Sequence, residues 1–294
     1  MSDEIESYLR TAQRGDMLSF ARLLTAIERS GPQVLQLNEF KKPKAQAYRV
    51  GITGPPGVGK STLINEFLKI WKLKDLKIGI LAVDPTSPIS QGAILGDRVR
   101  YSTHALDKNI FIRSLGTRGS LGGLSAAAYL MLRAFDACGF DLVLVETVGV
   151  GQVEVEVMNV ADLVIVVLVP ESGDSVQAMK AGIIEIADLF IVNKCDRPGA
   201  LALKQEIEAA QALSESARKV DVVITSTINA EGISDAAEKI LAARNSLNLA
   251  ENRTNLQRLR GEARALWRSR LEEEAEKHIA NVHSADDLAN LFKQ

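Results

Sequence analysis

The sequence predicts a mostly parallel α/β sheet with helices on both faces, and three observations carry that prediction. From Ala47 onward, short apolar runs rich in β-branched residues alternate with helical segments, the signature of strand–helix crossover units. One run, Leu163 to Pro170, has no polar alternation, which suits a strand covered on both faces. The run that opens the series leads straight into Gly54-Pro55-Pro56-Gly57-Val58-Gly59-Lys60-Ser61 and then a helical segment from Thr62. A glycine-rich loop between a strand and a helix belongs at the carboxyl edge of such a sheet.

The elements follow in order. Residues 4–37 read as helical, with Leu9 and Ala12, then Phe20, Leu23, Leu24 and Ile27 at helical spacing. Gly15-Asp16 divides this segment in two, with Asp16 capping the second helix. Lys41-Lys42-Pro43-Lys44 reads as a solvated linker. Strands are expected at 47–53, 78–83, 109–113, 142–146, 163–169, 189–193 and 220–225. Beyond about residue 240 the chain turns rich in Arg, Glu, Ala and Leu. There Leu256, Leu259, Ala263, Leu266, Trp267 and Leu271 form one helical stripe. Two readings of that stripe stand open: packing on the parent domain, or an arm that pairs with a second subunit. The expected division is 1–44 helical, 45–245 the α/β domain and 246–294 helical.

Composition narrows the class. With 46% hydrophobic and 24% charged residues, the chain of 294 residues can bury an ordinary core. A formal net charge of −2 makes no electrostatic case for nucleic acid. No uncharged apolar stretch approaches the length of a membrane span. Cys138 and Cys195 lack metal-ligand spacing and read as reduced thiols, and Met1 to Glu6 is too acidic for a leader, so a cytoplasmic location is expected.

The motifs carry the chemistry. Gly54 to Ser61 fits G-x-x-x-x-G-K-S: the glycines let several backbone N–H groups point at one anion, and the helix N-terminus adds partial positive charge. Lys60 would reach the β- and γ-phosphates, and the Ser61 hydroxyl would bind Mg²⁺. Asn193-Lys194-Cys195-Asp196, after an apolar strand, fits N-K-x-D. The Asp196 carboxylate can accept from guanine N1–H and the 2-amino group, a donor pair that adenine lacks, so GTP is selected over ATP. Glu146, ending the run Leu142 to Val145, stands where an acidic residue holds Mg²⁺ directly or through water, and Gly149 lets the backbone approach the γ-phosphate. Asp84 ends the strand at 78–83 and is a second candidate metal ligand, with Asp97 a third. Ser226 and Thr227 follow the last strand, at the position of a further base-contacting loop. Val150, not Gln, follows Gly149, so Gln152 is the candidate for orienting the attacking water, and unaided hydrolysis should be slow.

These segments resemble the MeaB-type GTPases, also called ArgK-like. The resemblance rests on Gly54 to Thr62, Asp84-Pro85-Thr86-Ser87-Pro88, Gly92 to Arg98, Phe111 to Ser114 and Thr117-Arg118-Gly119. It continues through Leu121 to Ser125, Glu146 to Gln152 and Gly182 to Asp188 into Asn193 to Asp196, so that it spans about residues 45–235. It implies a P-loop fold of the signal-recognition-particle and MinD-like class. It also implies a Mg²⁺-dependent GTPase cycling between GTP and GDP as chaperone of a cobalamin-dependent acyl-CoA mutase, gating cofactor delivery from an adenosyltransferase. By the same resemblance Asn193, Lys194 and Asp196 read the base, Asp97 belongs to a switch, Asp174 and Lys180 to the switch loop that signals to the partner, and the molecule is a homodimer. Two alternatives stay open. A nickel-chaperone-like metal-insertion GTPase would want a His/Cys cluster, and the histidines here are His104, His278 and His283. A transport-linked kinase or ATPase would want ATP.

Overall fold

The computed structural model of the chain describes residues 2–43, 45–84, 101–104, 107–116, 124–147, 157–170, 184–213, 219–246, 256–280, 282–284 and 287. Asp97, Gly149, Gln152, Asp174 and Lys180 lie outside them, and at Asp84 the backbone alone is described.

The seven strands are β1 (Tyr48–Thr53), β2 (Ile78–Asp84), β3 (Ile110–Gly116), β4 (Leu142–Thr147), β5 (Leu163–Leu168), β6 (Leu189–Val192) and β7 (Val222–Ile224). They form one sheet in the order β3-β2-β4-β1-β5-β6-β7, and every pairing is parallel. All seven match the sequence expectation, with shifts at the ends. β3 runs on past Arg113 to Gly116, because it pairs with β2 in register until Gly116 faces Asp84. Arg113, polar enough to read as a strand end, turns out of the sheet to meet Glu28 at 2.6 Å.

Among the described residues, and apart from a single turn at Ile184–Ile186, the α-helices are α1 (Ser2–Ala12), α2 (Met17–Ser30), α3 (Asn38–Lys41), α4 (Lys60–Trp71), α5 (Ala126–Ala137), α6 (Ala200–Leu213), α7 (Ile233–Ser246) and α8 (Leu256–Ile279). Alternation along the strands sorts the core into layers. Val143, Val145 and Val164 point to one face, where α1, α2 and α5 cover them with Leu9, Leu23, Ile27, Leu132 and Phe135. Val50, Ile52, Ile165 and Val167 point to the other, under α4 and α7. Val166, Leu168, Phe190 and Val192 pack beneath α6. Phe20 of α2 stands edge-on to Phe111 and Phe135, at centroid separations of 4.7 and 5.0 Å, so the N-terminal helices are part of this core. Asp16 caps α2 as expected, its carboxylate accepting from Ser19 N at 3.0 Å.

The C-terminal helix departs from the expected stripe. Leu256, Leu259, Trp267 and Leu271 are exposed. Its contact with the body runs through Arg258, Glu262, Ala265 and Leu266, so that of the stripe Leu266 packs on the core while the other four large residues face outward. Arg133 on α5 grips Glu262 through two bonds of 2.5 and 2.7 Å, and Arg258 reaches Asp162 at 3.1 Å and the Ala161 carbonyl. Bidentate ion pairing orients this helix, and hydrophobic spacing alone could not report that. Among the described residues no helix is long and apolar enough to cross a membrane.

β1 is the pivot of the topology. β2, β3 and β4 lie on one side of it and β5, β6 and β7 on the other, so the connections diverge there. A parallel sheet opens a crevice outside the carboxyl end of the strand at such a divergence.

Candidate nucleotide-binding site

The glycine-rich loop is built by the backbone that surrounds it. Gly54 leaves β1 at φ +141°, and a Cβ there would stand 2.2 Å from the Val167 carbonyl oxygen of β5. Val58 is buried in the core and pins the middle of the loop. Gly59, at φ +94°, turns the chain into α4, and a Cβ on it would strike the Asn193 amide at 2.6 Å. The first-turn N–H groups of α4 lack intrahelical acceptors and face the concavity of the loop. Gly54→Ala should therefore deform the loop, lowering the thermal unfolding midpoint and weakening GDP binding at least about tenfold, since the clash is with backbone and cannot relax through a side chain. A binding titration beside a melting curve checks both.

Lys60 opens α4 with its side chain folded back over the loop. It is 5% exposed, and its ammonium donates to the carbonyls of Gly54 at 2.6 Å and Pro55 at 3.0 Å. The loop thus holds a cation at its own mouth, and phosphate oxygens are stronger acceptors for it than amide carbonyls. Pro55 is buried beneath; Pro56 and Gly57 are exposed at the rim, and Thr62 is exposed on the first turn.

Beside the loop, β4 pairs with β1 so that Glu146 sits opposite Ile52, one residue before Thr53. Glu146 is 1% exposed. Its Oε1 accepts from the Ser61 hydroxyl at 2.8 Å and its Oε2 from the Tyr101 hydroxyl at 2.5 Å. The next pair of residues is tied by a 3.1 Å bond from Thr147 to Thr53. A buried carboxylate is costly when its partners are neutral, and among the described residues Glu146 has two hydroxyls and no Lys or Arg. The hydroxyl and carboxylate oxygens of Ser61 and Glu146, converging beside the loop, are hard ligands that fit Mg²⁺, and a divalent ion would offset that uncompensated charge.

The residues after β6 brace the loop. Asn193 Nδ2 donates to the Val58 carbonyl at 2.8 Å, and Lys194 Nζ donates to the Gly57 carbonyl at 2.6 Å. Asn193 Oδ1 accepts from Thr225 at 3.1 Å, which joins the end of β6 to the end of β7. Lys194 holds a left-handed backbone, φ +59°, unusual for a residue with a side chain. Asp196 is exposed at the rim, and its Oδ1 accepts from the Ser226 hydroxyl at 2.7 Å. Ser226 is held in turn by paired backbone bonds with Glu231. The carboxylate is thus aimed while it keeps lone pairs free for a ligand. Thr227 follows in the turn, half-buried. Between Lys194 and Asp196, burial and then the Glu231 carboxylate push the Cys195 thiol up, so it stays protonated.

The described candidates Lys60, Ser61, Glu146, Asn193, Lys194, Asp196 and Ser226 therefore share one crevice. Thr225 and Tyr101 join these residues without a signature in the sequence. A hydroxyl in a strand end and a tyrosine 45 positions from its partner leave no local pattern to find. A cavity of about 240 Å³ lies away from this crevice, lined by Arg49, Arg133, Asp136, Arg258 and Glu262. Its guanidinium groups are engaged by Asp136, Glu262 and Asp162.

The model of the family described as methylmalonyl Co-A mutase-associated GTPase MeaB matches residues 20–282. The chain belongs to the MeaB family. A Pyrococcus abyssi protein that bears a GTPase name is 40% identical over 284 residues, covering 95% of this chain and 85% of that one. The GTPase ArgK of Escherichia coli is 33% identical over 302 residues, covering 97% and 88%. The crystal structure of an LAO/AO transport system kinase matches with a TM-score of 0.67 over 100% of this chain and 98% of its own, at 24% identity, which establishes likeness of fold. As a MeaB-family member with a P-loop fold, the protein is a GTP hydrolase, and its bound nucleotide is a guanine nucleotide.

Proposed function

We propose that the protein is a Mg²⁺-dependent GTPase that acts as chaperone of a cobalamin-dependent acyl-CoA mutase, gating cofactor delivery and rescue of inactivated enzyme. The observation that carries the reading is the family match, which spans residues 20–282 and bears the name of a mutase-associated GTPase. Water attacks the γ-phosphorus, the bond to the bridging oxygen breaks, and GDP and phosphate leave. Lys60 neutralises charge on the β- and γ-phosphates, and the loop N–H groups from Gly57 to Thr62 orient them. Ser61 and Glu146, with Asp84 and Asp97, would hold Mg²⁺, which would supply Lewis-acid stabilisation of phosphate charge when bound. Asp196 reads the guanine edge while Asn193 and Lys194 brace the phosphate loop against it. Gln152 and Gly149 serve the attacking water and the γ-phosphate, and Asp174 and Lys180 relay the nucleotide state to the mutase.

The proposed division is a helical segment at 1–44, the GTPase domain at 45–245 and a helical segment at 246–294, whose exposed Trp267 and Leu271 suit pairing in a homodimer. The protein works in the cytoplasm with the mutase and an adenosyltransferase. Intrinsic turnover is slow and rises when the mutase binds. Mixing the purified protein with an adenosylcobalamin-dependent acyl-CoA mutase should yield a complex on gel filtration and faster phosphate release. The absence of both a complex and a rate change, across mutases of several acyl-CoA substrates, would defeat the chaperone reading and leave the GTPase standing.

A further inference from the structure

We infer that Tyr101 is a positioning residue for the metal-binding carboxylate, acting through Glu146. This deepens the reading of Ser61 and Glu146 as the Mg²⁺ site and rests on it. The strand fixes the Glu146 backbone, but the last torsion of a glutamate is broad, so its carboxylate needs partners to choose an orientation. Among the described residues it has one donor on each oxygen, Ser61 at 2.8 Å and Tyr101 at 2.5 Å. The two donors differ in kind. Ser61 would offer a lone pair to the ion while its O–H still donates to Glu146, so its position is shared between carboxylate and metal. Tyr101 reaches Glu146 from the apolar side and serves to orient that carboxylate.

Its surroundings make it a rigid one. Tyr101 is fully buried, and its ring belongs to the apolar cluster that holds Ile64, Phe67, Ile78 and Ile80. Its carbonyl accepts from His104 N at 3.0 Å, and the His104 carbonyl accepts from Asp107 N at 3.0 Å. Asp107 is pinned to Lys72 at 2.7 Å, beyond the end of α4. An apolar ring would fill that core equally well. A phenol there needs an acceptor for its O–H, and the acceptor is the Glu146 carboxylate. The hydroxyl therefore turns Oε2 toward the core and leaves Oε1 facing Ser61.

Partners that orient a metal ligand from behind commonly contribute 10–100-fold in metal affinity. Tyr101→Phe keeps the ring and deletes the hydrogen bond. Release of a fluorescent GDP analogue, followed across a Mg²⁺ titration, reads the site without turnover. In the wild type, Mg²⁺ should slow release. In Tyr101→Phe, about 10–100-fold more Mg²⁺ should be needed for the same slowing, with release in EDTA unchanged. The turnover rate lost at limiting Mg²⁺ should return at excess, with KM for GTP held. In a Glu146→Gln background the same substitution should leave the Mg²⁺ requirement where it stands. An unchanged Mg²⁺ requirement, loss of the folded state, or an equal effect in both backgrounds assigns Tyr101 to the core and overturns the inference. A wild-type protein whose GDP release ignores Mg²⁺ overturns instead the metal-site reading beneath it.

Discussion

Lys60→Ala is expected to lower GTP turnover at least about 100-fold, the scale of removing one preorganised charge from a transition state. A triphosphate carries several negative charges into a crevice beside the buried Glu146 carboxylate. The Lys60 ammonium is already at the loop, held by the Gly54 and Pro55 carbonyls at 2.6 and 3.0 Å, so it meets the phosphates with little reorganisation. Neutral groups at the same place, the loop N–H donors, orient the phosphates but do not cancel their charge. The substitution should spare the fold, because the loop shape is set by Gly54, Val58 and Gly59 and not by the lysine. Lys60→Arg should fail nearly as badly: the guanidinium is larger and planar and cannot take the place of a compact ammonium between two carbonyls. Steady-state phosphate release with a parallel melting curve checks this. Turnover within tenfold of wild type would remove Lys60 from the site.

The second large effect concerns the base. Asp196→Asn should weaken GTP binding by about tenfold to 100-fold, as expected for losing one charge-assisted hydrogen bond and leaving a donor unmatched. The carboxylate offers acceptors to both donors of the guanine edge. The amide offers one acceptor and turns an NH₂ against the other donor. Xanthine carries a carbonyl in place of the guanine 2-amino group, so the same variant should bind xanthosine triphosphate better than the wild type does. That reversal separates base reading from general damage. The 2.7 Å bond from Ser226 bears on it as well. Ser226→Ala should cost affinity for both nucleotides without changing their order, because it loosens the carboxylate and leaves its chemistry intact. Competition of each triphosphate against a fluorescent GDP analogue gives the ranking, and an unchanged GTP affinity in Asp196→Asn would take that residue out of base recognition.

Much of this crevice was legible because its parts are contiguous. The loop from Gly54 to Ser61 needs eight neighbouring residues, with a strand before and a helix after, and all of that is local. Seven strands could be drawn from apolar runs because a sheet covered on both faces leaves no polar alternation to confuse the pattern. The Asp16 cap was readable for the same reason: its partner, Ser19 N, lies three residues on. The face of α8 was not readable. Its apolar residues are spaced for a stripe, yet the helix is seated by Arg133 and Asp162, whose separation from it in sequence hides them. The division of labour around Asn193 was hidden too. The motif suggested a base-reading residue, and the structure ties its side chain to Val58 and Thr225.

By itself the sequence determined the class of sheet, the phosphate loop, the carboxylates at the strand ends and a resemblance specific enough to name a family. Those properties are written in consecutive residues, where periodicity and backbone geometry act over a few positions. The tertiary structure alone decided which carboxylate meets which hydroxyl. Ser61 and Glu146 are 85 positions apart, Tyr101 and Glu146 are 45, and Asp196 and Ser226 are 30. Such pairs follow from strand order and register, which set β4 beside β1 and β7 beside β6. No short stretch of chain encodes that order, because it results from the packing of every layer at once.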